Sequence, residues 1–283
     1  YRKRYGNRWY IVNWKNNGAE IKEATKGAAG GRIVNPEYYF KESVSCGAIT
    51  TGENSFRFYP KAAIFDINFR SLFFKEEDKY YYLGLLNSVV IKYFGKILCS
   101  TIALNGNDIS RFPVVIETSK KGKVKSLVSQ CIDISKTDWD SYEVSWEFAK
   151  HPLLRDENTI KDAFEHWKHS TESQFNKLKS NEEEINRIFV DLYGLHDELS
   201  SEVDYKNVTI RKADLGRDIC SFISYTVGCM FGRYSLDIEG LAYAGGQWDD
   251  GKYSTFIPDK DNILPVTDEE YFEDDIVGLF VAF

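Results

Sequence analysis

The four histidines, His151, His166, His169 and His196, are the first candidates for chemistry in this chain of 283 residues. His166 and His169 stand three apart within a helical pattern and can share a face, as a metal pair does. Two further ligands would be needed, and no cysteine or second histidine pair is spaced to supply them, so solvated helix-face histidines are expected. The acidic group Asp268, Glu269, Glu270, Glu273, Asp274 and Asp275 has the residue types that hold Mg²⁺, but such runs are usually solvated surface. No GxSxG elbow, P-loop or GxGxxG turn occurs. Cys46, Cys99, Cys131, Cys220 and Cys229 are scattered and odd in number, which reads as reduced, packed thiols in a cytoplasmic protein. No catalytic residue, metal or cofactor is therefore assigned within the chain.

The charge is more informative. The net value of −7 conceals two opposite regions: residues 1–126 hold 21 Lys/Arg against 11 Asp/Glu, and residues 127–283 hold 15 against 32. A balance of +10 suits a polyanionic partner such as nucleic acid, and a balance of −17 repels one. No apolar stretch approaches the roughly 20 residues needed to span a bilayer, and no targeting pattern is present. A start on Tyr1-Arg2-Lys3-Arg4 and an apolar finish at Ile276–Phe283 suggest a piece of a longer chain.

The elements that would position these groups form an α+β pattern. Residues 8–12, 55–59 and 62–67 are rich in aromatic and β-branched types and read as strands. Residues 80–94 read as one helix, and 109–116 as an edge strand or extended loop limited by Pro113. Lys120-Lys121-Gly122-Lys123 reads as a basic turn. Ile160, Phe164, Trp167, Thr171 and Leu178 mark an amphipathic helix over 157–179. Asn181 with Glu184 is a capping-box pattern expected to start a second helix. A buried helix follows over 214–233, and the chain beyond Gly240 is irregular and acidic.

Asn35-Pro36-Glu37-Tyr38 departs from the Asn-Pro-Pro-Tyr motif of amino-methyltransferases at its third residue, and no glycine-rich cofactor turn precedes it, so it is not a catalytic site. The wider run does resemble a known family. Asn35–Glu42, Ala48–Gly52 and Phe56–Asp66 ("FRFYPKAAIFD") are similar to the post-catalytic region of PglX-type adenine-specific methyltransferases of BREX phage-defence systems, a pattern that type IIG restriction-modification enzymes share in part. Leu85-Leu86-Asn87-Ser88 with Thr101–Phe112 is similar to target-recognition domains of type I specificity subunits. Ile134–Ser141, Ser145–Leu154, Asn181–Phe189, Tyr193–Leu195, Phe222–Tyr225 and Gly228–Ser235 extend the first resemblance over nearly the whole chain.

The resemblance implies a mixed target-recognition domain over 1–126, followed by a mainly helical, acidic scaffold over 127–283. It implies double-stranded DNA as partner, with an upstream methyltransferase domain of the same protein carrying S-adenosylmethionine and the chemistry. Other phage-defence components are further partners it suggests, and a specificity subunit or protein-binding module is the alternative role. On this reading Arg2, Lys3, Arg4, Arg8, Lys15, Lys120, Lys121, Lys123 and Lys125 are candidate phosphate contacts. Lys41, Ser43, Thr50, Thr51, Arg57, Asn105 and Asn107 are candidates for reading bases. Asn105-Gly106-Asn107 is equally well explained as a turn chosen for positive φ; Tyr38, Tyr39 and Phe40 could wedge or stack, but aromatics at strand spacing are more often core.

Overall fold

Ser43–Gly47 (β1) lacks the alternation that announces a strand, yet it is the centre of the sheet. In the computed structural model, which describes residues 2–27, 33–49, 54–99, 103–155, 157–269, 271–272 and 274–283, β1 pairs antiparallel with Arg57–Tyr59 (β2) and Phe69–Leu72 (β3). Val44 faces Phe58 on one side and Leu72 on the other. Both faces of β1 are covered, and its serines satisfy one another: Ser45 Oγ lies 3.0 Å from Ser43 Oγ and 2.9 Å from Ser71 Oγ. Only part of the expected strand 55–59 forms. Residues 8–12 and 62–67 are not strands, because β propensity without a ladder partner does not make one.

The helix expected over 80–94 is two, Lys79–Leu86 (α2) and Val89–Leu98 (α3), after a short Lys15–Ala24 (α1) nearer the N-terminus. Ser88 breaks it by adopting an extended conformation and capping Ile91 N–H. Asn87 beside it clamps the sheet, accepting from Phe56 N–H at 3.0 Å and donating to Phe56 O at 2.9 Å. The basic turn expected at 120–123 lies instead in the opening turns of a helix over Thr118–Asp140 (α5), and Gly106–Ser110 (α4) precedes it. The two helices expected over 157–195 are one, Ile160–Tyr193 (α6). Asn181 is not a cap but a buried mid-helix residue, its Nδ2 donating to Gln130 Oε1 of α5 at 3.3 Å.

The chain forms two compact units, and the packing divides it differently from the charge. Residues 1–137 with 174–210 make the first, and 138–173 with 211–283 the second. The first holds 26 Lys/Arg and 20 Asp/Glu (+6), the second 10 and 23 (−13), so the asymmetry survives the redistribution. In the first unit α2 approaches α5 at Gly84, where a Cβ would stand 3.0 Å from methyls of Val124 and Val128. Leu178, Ile185 and Phe189 of α6 complete that core.

In the second unit Leu215–Met230 (α7), close to the expected 214–233, is capped by Asp214, which accepts from Arg217 N–H at 2.8 Å. Phe148, Tyr225, Cys229 and Tyr234 form one cluster, and Leu153, Phe164, Trp167 and Phe222 another. The apolar run Ile276–Ala282 (α8) and Phe283 serve this core, with Phe280 and Phe283 about Phe222. The irregular acidic segment is pinned rather than loose: Asp237 accepts the backbone N–H groups of Ser254 and Thr255 at 2.7 and 3.0 Å. The α+β class expected from the sequence is present, with eight α-helices and one three-stranded antiparallel sheet among the described residues.

Candidate nucleic-acid interface

The basic residues of the first unit separate into a buried set and an exposed set. Arg2, Lys3, Arg4 and Arg57 are all under a tenth exposed. Lys3 Nζ lies 3.1 Å from Glu182 Oε2 and also donates to Asn207 O at 3.1 Å. Arg4 Nε stands 3.6 Å from Glu182 Oε1, while its Nη1 donates to Leu83 O at 2.9 Å. Arg57 donates to Arg2 O at 3.3 Å and lies over the Phe69 ring. The reason lies in the backbone: Arg4 bonds to Phe56 and Phe58 beside β2, which draws residues 2–4 into the core and their charges with them. Burial lowers the pKa of Lys3 and Glu182 opposes the shift. Arg2, Lys3, Arg4 and Arg57, expected as DNA contacts, are thus buried in the fold as it stands. Ser43, likewise buried, is held in the β1 serine row.

The exposed set surrounds two places. Lys120, Lys123 and Lys125 stand on the first turns of α5, where Lys121 is ion-paired with Asp78 and Lys123 with Glu184. Half-buried Arg8 and exposed Lys15 flank residues 9–12, an apolar segment whose Tyr10 is 92 % exposed. Arg8 donates to Tyr5 OH at 2.7 Å. Lys41 is exposed and lies 4.9 Å from the centroid of Tyr38, itself exposed rather than core. Asn105 and Asn107 are exposed at the start of α4, and Asn105 has φ −92°, so a helix start and not a positive-φ turn explains the pair. Arg70, which the sequence reading passed over, reaches Asn105 Oδ1 at 3.5 Å and donates from Nε to Leu104 O at 3.2 Å. Thr50 and Thr51 lie outside the described residues.

The histidines do not converge. His166 pairs with Glu157 at 3.1 Å and His196 with Asp191 at 3.5 Å, both on the surface. His151 is buried; its Nδ1 accepts Leu153 N–H, so Nε2 carries the proton toward Ser221 Oγ at 3.2 Å and cannot act as that serine's base. Burial pulls its pKa down to about 4. Among the described residues no group of three or more His, Cys, Asp or Glu is arranged to hold a metal ion, and no helix is long and apolar enough to cross a membrane.

No protein-family model matches the chain. It is 41 % identical over 285 residues to the adenine-specific methyltransferase PglX of Lacticaseibacillus casei (strain Zhang), an alignment covering 97 % of this chain and 24 % of that protein. It is 33 % identical over 302 residues to the adenine-specific methyltransferase BrxX of Escherichia coli O9:H4 (strain HS), covering 98 % of this chain and again 24 % of the relative. The resemblance read from the blocks at 35–66 and 134–235 is thereby extended over nearly all of this chain: it is homologous to a segment about a quarter of the length of the PglX and BrxX adenine-specific methyltransferases.

Proposed function

We propose that this chain reads the DNA site for an adenine-specific (N6) methyltransferase in phage defence, while an upstream catalytic domain of the same protein transfers the methyl group from S-adenosylmethionine. A site-specific methyltransferase must both extrude its target base and recognise the bases around it, and the second task can sit on a separate scaffold. The observation that carries the reading is the exposed lysine row on α5, within a unit of net +6. Cations at a helix N-terminus oppose the macrodipole and cost about 0.3–1 kcal/mol each, whereas a phosphate there gains from dipole and lysines together. Arg8 and Lys15 extend the phosphate-facing set, and Lys41, Asn105 and Asn107 are the groups suited to base edges. The second unit, at −13, is the scaffold that stays away from the duplex.

A second reading, docking onto the methyltransferase domain or another defence component, draws support from the exposed apolar residues 9–12. The deciding experiment is methylome sequencing of cells carrying the intact protein, before and after exchange of residues 1–126 for those of a relative. The modified motif should move with the exchange. An unchanged motif with methylation intact would assign site reading elsewhere and leave the docking role.

A further inference from the structure

Helix α8 has no polar side chain anywhere in Ile276–Ala282, yet only one of its faces is covered. On that face Phe280 meets Phe222 at 6.2 Å between ring centroids, and Phe283, just beyond, meets both Phe222 and Phe256. Val277 and Val281, four residues apart and so on one face, are exposed, Val281 at 82 %. A helix that is apolar all round belongs in an interior, because a face meant for water carries polar residues. The outer face of α8 is therefore built to be covered.

The segment before the helix extends that face. Ile276 N–H donates to Pro265 O at 3.0 Å, and Asp275 caps Val277 N–H at 2.9 Å while accepting the Thr267 hydroxyl. These bonds hold Val266, 77 % exposed, at the start of α8. Asp275 N–H donates to Phe272 O at 3.2 Å, which brings exposed Tyr271 and Phe272 back to the same end. Apolar side chains exposed singly need no explanation, but these are gathered on one helix and the segment tied to it, as in a contact surface.

The charge indicates what covers it. Residues 264–283 hold six Asp/Glu and no Lys, Arg or His. Asp275 is engaged by its own cap, whereas Asp268, Glu269 and Asp274 stand exposed beside the apolar residues. An apolar centre with an anionic rim repels nucleic acid and anionic lipid headgroups. It matches a protein surface whose apolar side chains are ringed by Lys and Arg. About three quarters of each matched methyltransferase lies outside the segment aligned with this chain, which leaves ample protein to carry such a surface.

We propose that the outer face of α8, with Val266, Tyr271 and Phe272, is where the catalytic domain of the same protein docks, through a basic patch bearing apolar side chains. This rests on the proposed function, in which that domain belongs to the same protein, and adds the place at which the acidic unit holds it.

The test is maleimide labelling of Val281→Cys, read at that position by peptide mass spectrometry in this chain alone and in the intact protein. Each rate is taken relative to the same preparation unfolded in urea. The chain alone should react nearly as fast as when unfolded, and the intact protein about tenfold or more slowly. Asp268→Lys/Asp274→Lys should remove most of that protection, because it sets like charges against the basic patch. Both changes lie at exposed positions and should leave the urea midpoint unchanged. A benzophenone maleimide at position 281 should cross-link to a Lys- or Arg-containing peptide of the catalytic domain. Equal labelling of the chain and the intact protein, slow labelling already in the chain alone, protection indifferent to charge reversal, or a cross-link to another region or a second copy each overturns the proposal. Methyl transfer and motif choice are measured separately on the same intact preparation, so a failed target-recognition reading leaves this result standing.

Discussion

Glu182 in the first unit and Asp218 in the second are both buried carboxylates, and the two work differently. Glu182 in the first unit serves two cations that are themselves buried. Asp218 in the second accepts the Trp167 indole N–H at 3.0 Å, the Asp214 backbone N–H at 3.0 Å and Arg217 Nε at 2.7 Å, and Arg217 is 34 % exposed. The basic unit therefore uses cations as internal structure, while the acidic unit keeps its one matching cation in reach of water. A count of basic residues overstates the charge the first unit can offer to a ligand.

The largest expected effect is on this contrast itself. Glu182→Ala strands Lys3 and Arg4 in the core and should cost about 3–5 kcal/mol. Asp218→Ala should cost about 2–3 kcal/mol, because Arg217 can turn to solvent and leaves the Trp167 indole as the main orphaned donor. Urea unfolding of the two variants compares them directly. An Asp218 variant as damaged as the Glu182 one would break the distinction.

The next effect belongs to the second unit alone. His151 is held neutral, its pKa pulled by burial from 6.5 to about 4. The folded value lies below the unfolded one, so the contribution is complete above pH 6.5 and is lost as pH falls through about 4. The loss should amount to about 3 kcal/mol across that window, at about 1.4 kcal/mol per pKa unit. His151→Asn keeps an acceptor for Leu153 N–H and cannot titrate, so its stability should fall about 3 kcal/mol less than the parent's between pH 6.5 and 4. A slope there equal to that of the parent would locate the acid sensitivity in other groups.

Two helix glycines give a smaller contrast. A Cβ at Gly228 would stand 2.7 Å from the Tyr234 ring, which is stacked on Tyr225 at 4.9 Å and tied by its hydroxyl to Glu143 at 3.2 Å. Gly228→Ala should therefore cost about 1–3 kcal/mol by overpacking. Gly84→Ala meets methyls at 3.0 Å, and a helix-propensity gain of roughly 1 kcal/mol offsets the crowding, so it should be near neutral. Thermal unfolding that ranks Gly84 as the worse site would mean the α2–α5 contact is the tighter of the two.

What the sequence made legible follows the range of the interactions involved. The helix at α7 and the long apolar stripes of α6 show because helical periodicity is local. β1 does not, because Ser43 and Ser45 are buried only through partners on neighbouring strands. Asn181 and Glu184 carry a correct local signal for a helix start, overridden because Asn181 finds Gln130 on α5. The same gap hides the burial of the first basic residues. Lys3 and Arg4 look like a basic arm until Glu182, some 180 residues away in sequence, is placed beside them. The triplet Glu182-Glu183-Glu184 was a signal available beforehand, since on a helix with Ile185 and Phe189 inward Glu182 falls toward the buried stripe.

The smallest effect on stability is the most informative about function. Lys120→Gln/Lys125→Gln removes two exposed charges from the start of α5 and should change unfolding free energy by no more than about 0.5 kcal/mol per site. If these lysines contact phosphates, the slope of log affinity against log salt should fall by about 0.9 for each, with affinity weakened alike on all duplex sequences. Lys3→Met is the counterpart: it should lower stability and leave the salt slope unchanged, since its ammonium is committed to Glu182 and Asn207. Anisotropy titrations at several salt concentrations separate the two. A slope altered by Lys3→Met and not by the α5 variant would show that the arm of residues 2–4 leaves the core on binding, and the division between structural and ligand-facing cations would have to be redrawn around that opening.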